Sequence, residues 1–160
     1  MTRLPAGWLV GVVTAIKLTP AVVAAQNFFA GRRKAGLIAF AAFVAATGLG
    51  FVLLPRDSLT YWTKLATGDS GMNSGIVYAT NQSVLGMWTR LTGQSSGGGL
   101  ALSGLVLILG LVAGVRLQRS GHVAVALCMA GLTSLLASPI SWSHHYVWLV
   151  PLAIVLWQHR

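Results

Sequence analysis

Five apolar stretches, each approaching the length of a membrane helix, dominate this chain. We place them at residues 7–29, 35–54, 100–115, 122–137 and 144–157. A helix needs about 20 mainly apolar residues to cross the hydrocarbon core of a bilayer, and the last three stretches are short by this standard. Strict alternation of apolar and polar residues is absent. The stretches are therefore predicted to be helices and not the strands of a membrane barrel.

The composition supports a membrane protein. Only 8% of the residues are charged and 55% are hydrophobic, whereas a soluble domain carries roughly 25% charged residues. We predict one all-α membrane domain over residues 1–160, a polytopic helical bundle of about five transmembrane helices. Short extracytoplasmic amphipathic helices are expected within its longest loop, at residues 55–99.

The positive charges predict the orientation of this bundle. Residues 31–34 (GRRK) join the first two apolar stretches, residues 116–119 (RLQR) join the third and fourth, and Arg160 follows the fifth. If the helices alternate in direction, these sites share one face, which the bias of Lys and Arg makes cytoplasmic. The amino terminus, the 55–99 loop and residues 138–145 are then expected on the opposite, extracytoplasmic face of the plasma membrane.

The net charge of +9 does not indicate a nucleic-acid-binding protein. Its basic residues lie between apolar stretches, where topology and anionic lipid headgroups account for them. The sequence shows no basic and aromatic stripe of the kind that a nucleic-acid module needs. Membrane lipids are the expected partners, and nucleic acid is not.

The 55–99 loop carries its own structural signals. Pro55 is expected to end the second stretch, and Asp57 is expected to cap a short helix that places Trp62 at the membrane interface. Residues 67–75 are rich in turn formers. A second short helix is predicted over residues 84–91, closed by Gly93, and residues 95–99 (SSGGG) are predicted to be a flexible linker.

Residues 138–145 (SPISWSHH) form a polar corner between two apolar stretches. Polar groups at such a depth are costly and often mark a function. Consecutive helical residues differ by about 100°, so His144 and His145 are not expected to face one site together. One histidine would bind a phosphate or a sugar while the other caps the helix or meets headgroups. An ordinary polar helix start is the alternative. No carboxylate or thiol accompanies the pair, so we predict no metal site.

Lys17 lies near the middle of the first apolar stretch. A charged group at the centre of a membrane helix costs roughly 2.5–3.5 kcal/mol on insertion scales. Pro20 is expected to kink the helix toward a cavity. We therefore predict an anion site at Lys17. The alternative is a lysine that snorkels to a headgroup, which needs a helix end within two turns, and the sequence predicts none there.

The remaining polar motifs leave several interpretations open. Residues 81–83 (NQS) match an N-glycosylation acceptor, a helix-capping cluster, or amide donors that reach a polar ligand. The only carboxylates are Asp57 and Asp69, and a local ion pair between Arg56 and Asp57 is favoured over catalysis. The chain has no glycine-rich phosphate loop, nucleophile elbow or zinc motif, and no cofactor is predicted.

An ordered set of motifs resembles a known family. The set comprises residues 15–20 (AIKLTP), 53–58 (LLPRDS) with Tyr61 and Trp62, residues 81–83, and residues 136–145 (LASPISWSHH) with Trp148 and Pro151. It resembles the actinobacterial polyprenol-phosphate-mannose-dependent α-(1→2)-mannosyltransferases of glycosyltransferase family 87. The resemblance covers the chain from Gly7 to Trp157.

The resemblance implies an integral membrane glycosyltransferase of the GT-C type. Such enzymes take a sugar from a polyprenyl phosphate and transfer it, on the extracytoplasmic side, to mannosylated phosphatidylinositols or related envelope glycans. Family members are longer and carry a membrane-proximal aspartate, the presumed catalytic base, in an early loop. No equivalent is present here, and Asp57 belongs to a later motif. The chain is therefore expected to be a carboxy-terminal part that lacks the base and is inactive alone.

The site residues follow from this expectation. Lys17, His144 and His145 are expected to bind the donor phosphate, and Asn81, Gln82 and Trp142 are expected to contact the sugar or the acceptor. A missing amino-terminal half would supply the base. The alternative function is a non-catalytic lipid-binding or assembly subunit, or an inactive remnant of an enzyme.

Overall fold

The structure, a computed structural model, describes residues 6–67, 75–94 and 97–158. All regular secondary structure in these ranges is helical, which confirms the predicted all-α fold. The helices are α1 (Trp8–Ile16), α2 (Ala21–Phe29), α3 (Arg33–Leu53), α4 (Pro55–Thr67), α5 (Val84–Thr92), α6 (Gly97–Arg119), α7 (Val123–Ala137) and α8 (Leu149–Gln158), with a 3₁₀ helix (Ser143–Trp148) before α8.

Two helices of the described part are long and apolar enough to cross a membrane. They are α3 with 21 residues and α6 with 23 residues, with mean hydropathies of 2.2 and 2.3. A helix of 21 residues is about 31 Å long, close to the hydrocarbon thickness of a bilayer. Large apolar side chains of α6 such as Ile108 and Leu109 are exposed, as lipid-facing positions are. Helix α7 is apolar but shorter, and the count of five spans stays a prediction.

The first predicted span is not one helix, so that prediction was wrong. Helix α1 ends at Ile16, and Lys17 has extended backbone angles (φ −147°, ψ 125°). Pro20 then caps the start of α2. Proline removes one backbone donor and disfavours helical angles at the residue before it, which explains why the chain turns here. A helix end therefore lies next to Lys17, contrary to the sequence-based expectation.

Helices α1 and α2 form a hairpin beside α3. Gly7 and Gly11 lie so close to the carbonyl oxygens of Ala35 and Ala39 that a Cβ at either glycine would clash, whereas Phe28 of α2 packs on Gly36. Helix α1 thus runs parallel to α3, and α2 runs antiparallel to it. The turn at residues 17–20 is the hairpin tip.

The hairpin changes the expected position of the amino-terminal residues. Ala6 lines the same surface depression as Arg32, Arg33 and Lys34, so the first described residues lie at the basic end of the bundle. The amino terminus itself lies outside the described residues, but Ala6, the first of them, does not lie beside the 55–99 loop as the predicted single crossing requires. That prediction assumed that residues 7–29 cross the bundle once, whereas they enter it and return.

The two basic loops do share one end of the bundle, as predicted. The Gln118 side chain accepts a hydrogen bond from Gln26 Nε2 (2.8 Å) and donates one to Asn27 Oδ1 (2.9 Å). Arg119 Nη2 donates to the carbonyl of Phe29 (2.7 Å). These bonds join the end of α6 to the end of α2, next to residues 31–34. Arg160 lies outside the described residues.

The opposite end contains α4, α5 and the polar corner. Helix α4 folds back on α3, so that Trp62 meets Phe43 edge-on with ring centroids 5.9 Å apart. It begins at Pro55 with Asp57 in its first turn, so the prediction of Asp57 as the cap was wrong. Helix α5 confirms its prediction: Ser83 caps it, and Gly93 closes it in the left-handed region (φ 71°).

Two further boundaries differ from the expected ones. Residues 97–99 belong to the first turn of α6 rather than to a linker, and Gly98 and Gly99 pack closely against α5, with Trp88 next to both. The last predicted span, residues 144–157, begins as a 3₁₀ helix and becomes α-helical only at Leu149. Residues 68–74, most of the predicted turn-rich break, and residues 95 and 96 lie outside the described part.

Candidate functional site

A cleft of about 420 Å³ lies where the hairpin tip meets the polar corner, and we call it the central cleft. Its walls come from the hairpin, α4, α6, α7 and the corner. The residues that line it are Lys17, Leu18, Thr19, Val22, Tyr61, Leu65, Leu107, Ser134, Ala137, Ser138, Pro139, Ile140, Trp142 and His145. The fold thus brings together three of the predicted site residues, Lys17, Trp142 and His145, from positions more than 120 residues apart.

Lys17 and His145 are the basic residues among those that line the central cleft. Partial burial lowers the pKa of His145, and the positive charges of Lys17 and His144 lower it further. His145 lies in the corner before α8 and is half-buried, whereas Lys17 is exposed where α1 ends. The cleft therefore combines a lysine side chain with an imidazole whose neutral form is favoured.

The backbone of the corner fixes the tautomer of His145. The backbone N–H of Trp142 donates a hydrogen bond to His145 Nδ1 (3.2 Å), and the N–H of His145 donates to the carbonyl of Trp142 (2.9 Å). Because Nδ1 accepts, the proton of the neutral ring is on Nε2. His145 therefore offers a donor to a ligand at neutral pH and does not offer a base.

His144 does not line the central cleft. Its side chain is exposed, and its ring meets that of His145 edge-on, with centroids 4.4 Å apart and planes at 70°. The two neighbouring histidines therefore have different environments, in line with the expectation that consecutive helical residues do not face one site together. His145 is the one of the pair that faces the cleft.

Asn81 is completely buried, and the chain itself uses its whole amide. Asn81 Nδ2 donates to the carbonyls of Ile76 and Pro139, both at 3.1 Å. Asn81 Oδ1 accepts from the backbone N–H groups of Ser83 (3.2 Å) and Ser141 (2.9 Å). An asparagine amide has two donor hydrogens and two acceptor lone pairs, so these four bonds saturate it. In this arrangement no hydrogen-bonding position of Asn81 remains for a sugar or a glycan.

Further hydrogen bonds clamp residues 80–83 to the polar corner. The backbone pairs antiparallel at Asn81 and Trp142, with the N–H of Gln82 donating to Ser141 O (2.7 Å) and that of Ser143 donating to Thr80 O (3.0 Å). Tyr146 Oη donates to the carbonyl of Gln82 (2.7 Å). The Gln82 side chain is exposed and bonds its own turn at Ala79, away from the cleft.

The sequence analysis missed the wall that α4 contributes. The sequence indicated only a membrane-interface position for the neighbouring Trp62, whereas Tyr61 and Leu65 line the central cleft. The fold-back of α4 on α3 brings these two side chains to the hairpin tip. Contacts of this kind depend on tertiary structure and leave no local signal.

The lining of the cleft limits its chemistry. None of the described residues that form it is acidic, and the described part of the chain has no group of three or more metal-ligating side chains. A lysine side chain and an imidazole N–H donor suit an anion such as a phosphate. A general base that removes a proton from a hydroxyl group needs a partner that these walls do not provide.

Comparison with known proteins identifies the family. The sequence profile of glycosyltransferase family 87 matches residues 1–139. The chain belongs to glycosyltransferase family 87. The match covers the hairpin tip, residues 81–83 and the start of the polar corner, and it confirms the family that the ordered motifs indicated.

Several mycobacterial mannosyltransferases are among the relatives of this chain. The chain is 36% identical, over 99% of its length, to the polyprenol-phosphate-mannose-dependent alpha-(1-2)-phosphatidylinositol mannoside mannosyltransferase of Mycobacterium tuberculosis. It is 37% and 35% identical, over 94% of its length, to the phosphatidylinositol pentamannoside mannosyltransferases of M. tuberculosis and Mycolicibacterium smegmatis. It spans only 35–39% of the length of these relatives. No solved structure gives a significant match.

Proposed function

We propose that this chain is the donor-phosphate half of a membrane mannosyltransferase. The enzyme would transfer mannose from polyprenyl-phosphate-mannose to a phosphatidylinositol mannoside or a related glycolipid at the extracytoplasmic face. The observation that carries this proposal is the central cleft, where Lys17 and His145 face a common space that no described acidic side chain lines. Family membership and the printed names of the relatives support the donor and the acceptor class.

The mechanism assigns the leaving-group side of the reaction to this chain. An acceptor hydroxyl attacks the anomeric carbon, the bond from that carbon to the phosphate oxygen breaks, and negative charge develops on the leaving phosphate. The Lys17 ammonium and the His145 Nε2–H donate hydrogen bonds to that phosphate and stabilise the transition state. The base that takes the proton from the acceptor comes from outside these 160 residues, as the greater length of the relatives allows.

An apolar cavity beside the hairpin suits the lipid part of the donor. It has a volume of about 430 Å³ and lies between α1, α2 and α3, with Phe40 and Phe43 in its walls. Leu18 lines both this cavity and the central cleft. A polyprenyl chain bound there would lie beside its phosphate at Lys17, and burial of its carbons would contribute roughly 25 cal/mol for each Å² removed from water.

The other predicted site residues take different roles in this proposal. Trp142 lines the central cleft and has an aromatic face for the sugar or the first isoprene units. Asn81 is a positioning residue, because its four hydrogen bonds fix the corner that carries Trp142 and His145. Gln82 and His144 are not among the residues that line the cleft, and we expect their substitution to have small effects on donor binding.

The experiment that tests donor binding uses the chain in lipid nanodiscs. Polyprenyl phosphate affinity is measured for the wild type, Lys17→Ala, His145→Ala and the control Arg33→Ala, which removes a cation at the basic end. We expect Lys17→Ala and His145→Ala each to weaken binding about tenfold, since each removes a charged or charge-assisted hydrogen bond. Equal affinities for Lys17→Ala and Arg33→Ala would refute the site.

A non-catalytic lipid-binding subunit is the second candidate, and it is favoured by a cleft to which none of the described residues contributes a carboxylate. Both candidates bind the donor, so turnover must separate them. We would replace the matching segment of the M. tuberculosis relative with this chain and measure mannosyl transfer. Transfer by the chimaera supports the enzyme half, whereas a folded chimaera that binds the donor without transfer supports the subunit.

A further inference from the structure

A broad depression lies at the basic end of the bundle, where α1 and α3 begin, and we call it the basic depression. Its volume is about 600 Å³, within the range of ~300–1,000 Å³ that is typical of sites for small organic ligands. Its lining combines three consecutive basic residues, Arg32, Arg33 and Lys34, with apolar residues such as Ala6 and Ile38. The depression therefore has a basic part and an apolar part.

The backbone around the depression is held by close packing. A Cβ built on Gly7 would overlap the carbonyl oxygen of Ala35, so the start of α1 lies directly against the start of α3. Gly31 has a left-handed backbone (φ 98°), which most residues avoid, and it turns the chain just before the basic residues. The three basic residues thus stand on a tight turn between two packed helices.

The positive charge of this end has no counter-charge among the described residues. No hydrogen bond or ion pair joins the side chains of residues 32–34 to another described residue. Asp57 is the only acidic residue in the part of the chain that the structure describes, and it lies in α4 at the opposite end. An anion from outside the described chain would therefore meet basic side chains that no described acid competes for.

The start of α3 also favours an anion in the depression. Helix α3 begins at Arg33, its first turn contains no acidic residue, and Arg32 makes no side-chain cap. The helix dipole carries partial positive charge at this end, so basic side chains are unfavourable there and anions are favourable. An anion would interact with the basic side chains and with the first backbone N–H groups of the helix at once.

The apolar part of the lining favours a lipid over a soluble anion. Ile38 lines the depression, and its neighbour Leu37 is exposed. Helix α3 is long and apolar enough to cross a membrane, so its first turn falls where the hydrocarbon layer meets the headgroups. A phospholipid has the same order of groups, with a phosphate at the surface and acyl chains beside apolar side chains. A soluble anion would use the basic part alone.

We propose that the basic depression binds the headgroup phosphate of an anionic membrane phospholipid, with Arg32, Arg33 and Lys34 as its ligands. The lipid supplies the negative charge that the described residues lack at this end, and its acyl chains lie along Ile38. The site is separate from the proposed donor site, because the central cleft lies at the hairpin tip and the polar corner.

The test measures lipid binding to the purified chain by native mass spectrometry. Phosphatidylglycerol is the anionic probe, and phosphatidylcholine is the zwitterionic one. The variants are Arg32→Gln, Arg33→Gln and Lys34→Gln. The matched control is Arg116→Gln, because Arg116 is an exposed basic residue near the end of α6 that does not line the depression.

The wild type should bind phosphatidylglycerol more tightly than phosphatidylcholine. Each variant should weaken phosphatidylglycerol binding about fivefold, which is the contribution of one basic side chain to binding at an anionic membrane surface, and the control should weaken it less than about twofold. Equal affinity of the wild type for the two lipids would overturn the proposal. Equal losses in Arg33→Gln and Arg116→Gln would also overturn it, since they would indicate diffuse attraction without a site.

A competition experiment separates a lipid from a soluble anion. An equal concentration of sn-glycerol 3-phosphate, which carries the phosphate without acyl chains, should leave phosphatidylglycerol bound. If it displaces the lipid, the depression is a site for soluble phosphates, and the assignment to a phospholipid is wrong.

Stability separates loss of the site from loss of the fold. In phosphatidylcholine alone, the Tm of Arg33→Gln should equal or exceed that of the wild type, because the change removes a basic group from a helix start. Phosphatidylglycerol should then raise the Tm of the wild type more than that of the variant. An equal rise in both would contradict binding at the depression. Lys17→Ala should keep phosphatidylglycerol binding whatever its effect on polyprenyl phosphate, so this proposal and the donor assignment can fail separately.

Discussion

At the scale of single residues, the sequence indicated some of the side chains that line the cleft, but it did not show which residues hold them in position. Lys17 and His145 stood out because charge and imidazole are costly among apolar residues, and both line the central cleft. An asparagine such as Asn81 can bind a sugar or hold the backbone in place, and the residue type alone does not distinguish the two roles. The difference depends on Pro139 and Ser141, which lie about 60 residues away in the chain. Local sequence cannot reveal partners at that distance.

Asn81→Ala should lower the stability of the fold, because the Asn81 amide is buried and bonded only within the protein. It leaves the N–H groups of Ser83 and Ser141 and the carbonyls of Ile76 and Pro139 without their partner, and each buried orphan costs ~1–3 kcal/mol. We expect a total loss of at least ~3 kcal/mol in the free energy of unfolding, measured by denaturation in detergent. The control Gln82→Ala removes one exposed bond and should cost less than ~1 kcal/mol. Equal stabilities would contradict the clamp.

The pKa of His145 predicts a specific pH dependence of stability. Burial and the charge of Lys17 lower this pKa below its ordinary value of about 6.5. The unfolded chain therefore takes up the proton first, and the fold loses stability as the pH falls from about 6.5 through the folded pKa. His145→Gln removes this contribution. We expect its Tm to fall less than that of the wild type between about pH 7.5 and 5.5, and parallel curves would contradict the assignment.

At the scale of helices, the sequence predicted α3 and α6 and failed at the first span. Hydropathy shows that a stretch prefers lipid or the protein interior to water. It does not show whether the stretch crosses the bundle once or folds back as a hairpin. Pro20 indicated a kink, but the return depends on Gly7 and Gly11, which let α1 run against the carbonyls of α3. The packing of α1 on α3 therefore decides between a kinked helix and a hairpin.

Two glycine-to-alanine changes test this packing. Gly11→Ala places a Cβ against the Ala39 carbonyl, whereas nothing lies within 4 Å of a Cβ at Gly48. Alanine ordinarily stabilises a helix interior by roughly 0.5–1 kcal/mol over glycine. Gly48→Ala should therefore raise the Tm, and Gly11→Ala should lower it through a clash worth ~1–3 kcal/mol. A higher Tm for both would show that α1 does not pack on α3 as described.

At the scale of the whole molecule, the charge pattern correctly placed the two described basic loops at one end. It misplaced the amino-terminal residues, because an unrecognised hairpin changes the number of crossings by one. The polar corner, α4 and α5 gather at the other end, where the hydrogen bonds between residues 80–83 and the corner and the fold-back of α4 build the central cleft. The sequence predicted the short helices and the polar corner at this end, but it did not predict how they pack against one another.

The hairpin predicts which residues share a side of the membrane. In a Cys128→Ala background, Ala6→Cys and Tyr78→Cys place single thiols at the two ends of the bundle, since both positions are exposed. A membrane-impermeant thiol reagent added to intact cells should label Tyr78→Cys and not Ala6→Cys. Labelling of both from outside would indicate a single crossing by residues 7–29 and would contradict the hairpin.

The central claim is that the donor phosphate binds between Lys17 and His145. An experimental structure of the chain with polyprenyl-phosphate-mannose in nanodiscs measures this position directly. We predict phosphate oxygens within about 2.7–3.2 Å of Lys17 Nζ and His145 Nε2, with the lipid beside Leu18. A phosphate bound instead at the basic end, against Arg32, Arg33 and Lys34, would contradict the account.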